Sequence, residues 1–440
     1  MGTTRTALAD VAPAGSRPSS GSRPSPGSRP SPGSRPSSGS RPSPGGRVAG
    51  AVARMVPSTR LLGIGAVAAW AGVAAYLFGW GRTWEADLRV YAAAAHTFLA
   101  HRSPYSAAFD AHHLPFTYPP FSLFVFAPTA LAAFPVVQAV WFLLDAAATC
   151  AFAYLALRST TALARTRAIA IAALLGAVAT LALEPLRSNL DFGQVNMFLM
   201  LCVVVDVVRP PGATRGVGVG LAAALKLTPL VYLAYFVLTR DGRAAVRGVV
   251  AFVLAGAAAW VVMPAASARY WFHLLFDTSR IGAAGFVSNQ SWYGLLHRSP
   301  FIWGTFGAAA WFVLAAATGA ASLYVAWRCA RRGQTVEALV ALFLCELLAS
   351  PVSWTHHWSW VLLLPAVIAG RDRPRRFVTG AMIVVLAAAA SGLNWISVPR
   401  WLAPVTTNDL VVVGAVLLFG WAAYELRDQA AARRLRAQAA

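Results

Sequence analysis

From Leu61 onward the sequence is a succession of apolar runs separated by short polar segments, and several runs carry no charge at all. Many are about 20 residues long, the length an α-helix needs to cross the hydrocarbon core of a bilayer. Backbone groups in lipid must be bonded within the segment, which leaves helices or closed barrels. A barrel would need short alternating segments, and none recur in this chain. The expectation is an all-α polytopic membrane protein. Composition agrees: 12% of residues are charged, against about 25% in a soluble domain.

The net charge is +21, and of the 37 basic residues only Lys226 is a lysine. Basic excess in such a protein reads as topology and contact with anionic membrane lipids. No aromatic-studded basic patch marks a nucleic-acid surface, so no nucleic-acid partner is expected. Cys150, Cys202, Cys329 and Cys345 are far apart in apolar runs and read as core residues, neither disulfides nor metal ligands.

Residues 16–45 repeat a hexapeptide of the form SRPSSG or SRPSPG five times. Such a stretch cannot bury a core, so residues 1–59 are expected to be a disordered tail, either a basic arm on lipid or an expansion without a role. Leu61–Trp80 is the first expected span. Arg47, Arg54 and Arg60 on its N-terminal flank place the N-terminus in the cytoplasm and the segment from Gly81 to Pro120 outside. Phe121–Ala133 is too short to span and reads as a half-helix. Glu184–Gly193 reads as a short outer loop, and Pro264–Ser299 as a large one. Gly216–Leu238 is flanked by arginine on both sides and broken at Lys226–Pro229, as expected of two half-helices lining a cavity. The bundle expected over residues 60–425 has about 10–12 transmembrane helices. A basic cytoplasmic tail over 426–440 follows.

This topology puts all eight histidines, His96, His101, His112, His113, His273, His297, His356 and His357, outside or at the outer rim. Glu85, Asp87, Asp110, Glu184, Asp191 and Asp277 fall there too. Glu85 and Asp87, just past the first span, suit general-base work on an acceptor hydroxyl, or a simple pairing with Arg82 or Arg89. Lys226 on a broken helix is costly to bury unless it faces a polar cavity or an anion such as phosphate; snorkelling to the interface is the structural alternative. Asn189, Gln194, Asn196, Asn289 and Gln290, with nearby tryptophans and histidines, suit sugar hydroxyls and ring faces. The pairs His112–His113 and His356–His357 lack metal-binding spacing.

The segments DLRVYAAAAHTFLAHRSPYS…LPFTYPPF (87–121), NLDFGQVNMFL (189–199), GLAAALKLTPLVY (220–232), SNQSWYGLL (288–296) and SPVSWTHHWSW (350–360) resemble the actinobacterial polyprenyl-phosphate-mannose-dependent α-(1→2)-mannosyltransferases. That family lies within the membrane-embedded C-type glycosyltransferases. The resemblance implies a C-type bundle with its site on extracytoplasmic loops. It also implies a polyprenyl-phosphate-mannose donor, a cell-envelope glycolipid or glycan acceptor, and inversion from a β-linked donor to an α-mannoside. It carries the base to Asp87, with Glu85 second, and the lipid phosphate to Lys226, with Arg89 beside it. Sugar or acceptor contacts fall to Tyr118, Asn189, Gln194, Asn196, Asn289, Gln290, His356 and His357. Some superfamily members carry DxD in the first outer loop; here the motif is EAD from Glu85 to Asp87, which leaves a divalent metal open but unsupported, and no other cofactor is expected. Transfer of another sugar from the same carrier, or transport of a lipid-linked sugar, stays open on sequence.

Overall fold

The computed structural model describes residues 57–79, 85–106, 108–109, 114–370, 376–392 and 406–439. The N-terminal repeat, Arg82, Asp110, His112 and His113 lie outside the described residues.

The fold is helical apart from one antiparallel ribbon that pairs Ala108 with Pro115 and Phe109 with Leu114. Among the described residues, six helices are long and apolar enough to cross a membrane. They are α1 (Thr59–Gly79), α4 (Phe134–Thr160), α5 (Arg165–Ala182), α10 (Gly242–Val262), α13 (Pro300–Arg331, apolar over Trp303–Arg331) and α17 (Asp409–Ala439). A seventh crossing is added if α6 (Glu184–Asp191) and α7 (Asn196–Val208), bent by 118°, count as one span. The protein is thus a polytopic membrane protein. Other apolar runs fold as shorter pieces. These include α3 (Ser122–Phe126), α8 (Val217–Leu225), α9 (Leu233–Leu238), α14 (Thr335–Ala349), α15 (Leu364–Ala369) and α16 (Arg376–Ser391).

Two further expectations change. Residues 184–191, read as a loop, form helix α6, which Pro185 opens at a position where its missing N–H costs nothing. Helix α17 continues through the basic segment to Ala439. Glu425 and Asp428 on α17 pair with Arg328 and Arg332 on α13. The four cysteines are free, and Cys202 is exposed rather than in the core.

The centre of the bundle is α14, where Val336, Leu339, Leu342, Phe343 and Leu347 are all fully buried. Against it lies a 3-10 segment, Thr355–Leu363, containing Trp358 and Trp360. Helix α8 sits close to α10 because both are glycine-faced. A Cβ on Gly220 would stand 2.1 Å from the Gly248 carbonyl oxygen, and one on Gly216 would stand 1.9 Å from that of Ala244. Gly216 also has φ +98°, which glycine adopts at little cost. These contacts fix the height at which α8 ends, and it ends at Lys226.

Candidate active site

Helix α2 (Ala86–Leu99) carries the first acid. Its opening N–H groups have no side-chain cap. They are satisfied instead by the α6–α7 bend: Glu85 N donates to Asp191 O (2.8 Å), while Asp87 N and Leu88 N donate to Phe192 O (3.1 and 3.2 Å). The bend turns at Gly193, φ +66°, where a Cβ would lie 2.6 Å from Leu88 Cβ. This docking puts Asp87 in the first turn of α2, where the helix dipole favours a carboxylate. It also brings Gln194 within reach, and Gln194 Nε2 donates to Asp87 Oδ2 at 2.6 Å. Gln194 Oε1 lies 3.1 Å from the hydroxyl of Tyr118 and 3.3 Å from that of Tyr91, and the two hydroxyls are 2.7 Å apart, so two phenolic protons serve three contacts. Burial, reinforced by nearby Asp87, lifts both phenols well above their ordinary range, so they stay protonated.

Lys226 lies on the far side of Tyr118, its ammonium 5.6 Å from that ring's centre. The chain leaves α8 here: Lys226 is extended, and Pro229 opens the 3-10 turn Thr228–Tyr232. Lys226 Nζ donates to Asn196 Oδ1 and His357 Nε2, both at 2.9 Å. No carboxylate lies within 4.0 Å of it among the described residues. The cleft around the ammonium is lined by Asn196, Thr228, Glu346, His357 and Trp360, with Leu199 and Met200 as its apolar wall. Tyr232 Oη donates to Glu346 Oε2 at 2.5 Å. His356 is buried between Phe192 and His357, and neither of its ring nitrogens has a hydrogen-bond partner. Buried polar atoms seldom stay unpaired unless something else pairs them.

The structure therefore assembles Asp87, Gln194, Tyr118, Asn196, Lys226 and His357, from segments up to 270 residues apart, into one polar track. Other expected contacts fall elsewhere. Asn289 and Gln290 are wholly buried. The Asn289 amide donates to the Ala284 and Pro351 carbonyls and accepts from Ser353 N. The Gln290 amide donates to the Val287 and Thr407 carbonyls and accepts from Val411 N. With their amides engaged in this way, they brace the segment that presents the histidines. Asn189 is 1% exposed and both ends of its amide are engaged by Asp145 and Asn196. Arg89 is exposed, with its guanidinium 4.2 Å above the Phe134 ring, and is not joined to Lys226. Glu85 is buried in a left-handed conformation, φ 38°. Burial raises its pKa, opposed by a bond from Gln138 and the charge of Arg89.

Sequence reasoning missed Glu346 and Asp145. Both are single acids inside apolar runs, a signal that by itself marks a functional-site candidate. Among the described residues no three of His, Cys, Asp and Glu converge to hold a metal ion.

The sequence profile of glycosyltransferase family 87 matches residues 116–353, more than half the chain. The chain belongs to glycosyltransferase family 87. It is a membrane-embedded glycosyltransferase. The matched segment contains Tyr118, Gln194, Asn196, Lys226 and Glu346; Asp87 and the histidine pair flank it. Curated relatives cover more. A polyprenol-phosphate-mannose-dependent alpha-(1-2)-phosphatidylinositol mannoside mannosyltransferase of Mycobacterium tuberculosis is 36% identical over 71% of this chain and 78% of its own. Its counterpart in Mycolicibacterium smegmatis is 37% identical over 67% of this chain and 73% of its own. A phosphatidylinositol pentamannoside mannosyltransferase of Mycobacterium tuberculosis, dependent on the same donor, is 34% identical over 82% of both. No solved structure matches the chain.

Proposed function

We propose that this glycosyltransferase moves mannose from a polyprenol-phosphate-mannose donor to a hydroxyl of a phosphatidylinositol mannoside or related envelope glycolipid, forming an α-(1→2) linkage with inversion. The observation that carries the reading is the track from Asp87 to Lys226. A carboxylate held by Gln194 stands at one end, and a cation bonded only to neutral groups stands at the other.

The chemistry follows from those ends. Asp87 takes the proton of the acceptor hydroxyl as its oxygen attacks the mannosyl anomeric carbon. The bond from that carbon to the phosphate oxygen breaks on the opposite face, and the electron pair leaves with the polyprenyl phosphate. Lys226 holds the charge that develops on that phosphate. The cation need not be drawn off an ion pair first, so the donor phosphate is its natural counter-charge. His356, with two unpartnered ring nitrogens in a buried position, is suited to a sugar hydroxyl or a phosphate oxygen. Glu346 holds the wall of the same cleft. The arginine-rich flank of α1 supports an extracytoplasmic position for the site and cytoplasmic termini.

The test is transfer by membranes containing the protein from labelled polyprenol-phosphate mannose to added phosphatidylinositol mannosides, with linkage analysis of the product. An α-(1→2)-mannoside is expected. A product from polyprenol-phosphate arabinose or glucose in its place would replace the sugar assignment, and lipid-linked sugar crossing the bilayer without transfer would replace the reaction.

A further inference from the structure

Behind Lys226 lies a hydrogen-bonded chain with a direction. Asp145, on α4, is 4% exposed and does not line the cleft. Its Oδ1 accepts from Asn189 Nδ2 at 3.1 Å. Asn189 Oδ1 then accepts from Asn196 Nδ2 at 3.1 Å, and Asn196 Oδ1 accepts from Lys226 Nζ at 2.9 Å.

We propose that Asp145 and Asn189 are positioning residues for Lys226, fixing the polarity of this chain so that Asn196 turns its carbonyl oxygen, not its NH2, toward the ammonium. A carboxylate accepts and does not donate. It therefore takes the NH2 of Asn189 and leaves that side chain's oxygen facing Asn196. Asn196 must donate in turn, and the His356 backbone carbonyl, a second acceptor-only group, receives from the same NH2 at 3.3 Å. Only the oxygen of Asn196 remains for the lysine. Run the other way, the chain would set an NH2 against an ammonium, two donors face to face. In a buried site an unmade bond of that kind costs far more than a made one gains. With no ion pair to hold it, Lys226 depends on this orientation.

Lys226 is the only lysine in the chain, so full-length protein labelled with 13Cε-lysine gives one side-chain NMR signal. Asp145→Leu should displace that signal. It should also raise the donor KM by about tenfold while leaving the acceptor KM unchanged. The exchange Asp145→Asn with Asn189→Asp keeps an acceptor facing Asn196; it should return the signal to its wild-type position and the donor KM to within about threefold. A signal and donor KM unmoved in Asp145→Leu would overturn the proposal. So would a displacement that the exchange does not repair, since that is core damage alone. If Asp145→Leu fails to fold, Asn189→Leu takes its place, because it removes the acceptor that Asn196 faces; an unmoved lysine signal again overturns the idea. The kinetic arm rests on the donor reading given above. If wild-type protein uses no polyprenol-phosphate mannose, that reading fails, and the lysine signal alone decides the relay.

Discussion

Helix α8 has a charged group at each end, and the two ends are built oppositely. At the N-terminal end Asp206 accepts from Gly216 N and Val219 N. Arg215 there bonds the Val207 carbonyl and pairs with Asp241 at 3.2 Å. Every charge has found a partner of opposite sign or a helix N-terminus, as a structural site requires. At the C-terminal end Lys226 has an amide oxygen, an imidazole nitrogen and an aromatic face. One nine-residue helix thus carries a closed site that holds it in place and, at its other end, the lysine proposed above to meet the donor phosphate. Burial does not tell them apart; at one end Arg215 pairs directly with a carboxylate, while at the other Glu346 lines the cleft and Lys226 bonds only neutral groups.

The contrast predicts which measurement each residue moves. Asp87→Asn keeps the size of the side chain and removes the base, so transfer should fall by about 10²–10⁴-fold with the protein still accumulating in membranes. Near-normal activity would remove Asp87 from that role. Lys226→Met should lower kcat/KM for the donor by roughly 10- to 100-fold. Its melting temperature should shift little, because Lys226 forms no direct ion pair among the described residues and Glu346 keeps its bond from Tyr232. Unchanged donor use would break the comparison at its lysine end. Asp206→Ala should do the reverse, costing about 1–3 kcal/mol of stability as two buried N–H groups lose their acceptor; turnover per folded molecule should stay near wild type. Kinetic loss without a thermal shift would show that the closed end is not merely structural.

The smallest effect concerns Glu85. Its folded pKa is raised by burial, so its ionised form opposes folding. Below the unfolded pKa both states are protonated and nothing is lost; stability falls as pH rises toward and through the folded value. Glu85→Gln should therefore melt higher than wild type at neutral pH and match it in acid. It should keep most of its transfer, unlike Asp87→Asn. Equal losses from the two would mean that both acids serve the reaction.

The residues that were legible in the sequence share a local signature. Lys226 announced itself as the single lysine beside a helix break, and the break is there, with Pro229 in the 3-10 turn. Asp87, Gln194 and His357 stand in polar interruptions of apolar runs, where polar groups are cheap to notice. Glu346 and Asp145 lie inside α14 and α4, and no local pattern says which helix face meets which. Their roles come from contacts with Tyr232 and Asn189, 114 and 44 residues away. Asn289 and Gln290 are the converse case. They are polar and lie in a loop, but a single bridge from Asn289 to Trp354 buries that loop and turns its amides into braces. Against the expected 10–12 spans stand six long apolar helices among the described residues, with several other runs folded as shorter pieces.

The glycine seam between α8 and α10 bears on how this enzyme would look in a mutational screen. Any side chain at Gly216 or Gly220 drives its first carbon into the backbone of α10, and the same holds for Gly248 against Leu233 and Gly216. Such variants would be lost before they reached the membrane intact. A selection scoring only product would rank these glycines with Asp87, drawing a false active site along a helix interface. Scoring protein yield alongside product would separate the two groups, leaving the seam among the low-yield variants and the polar track among the well-expressed, silent ones.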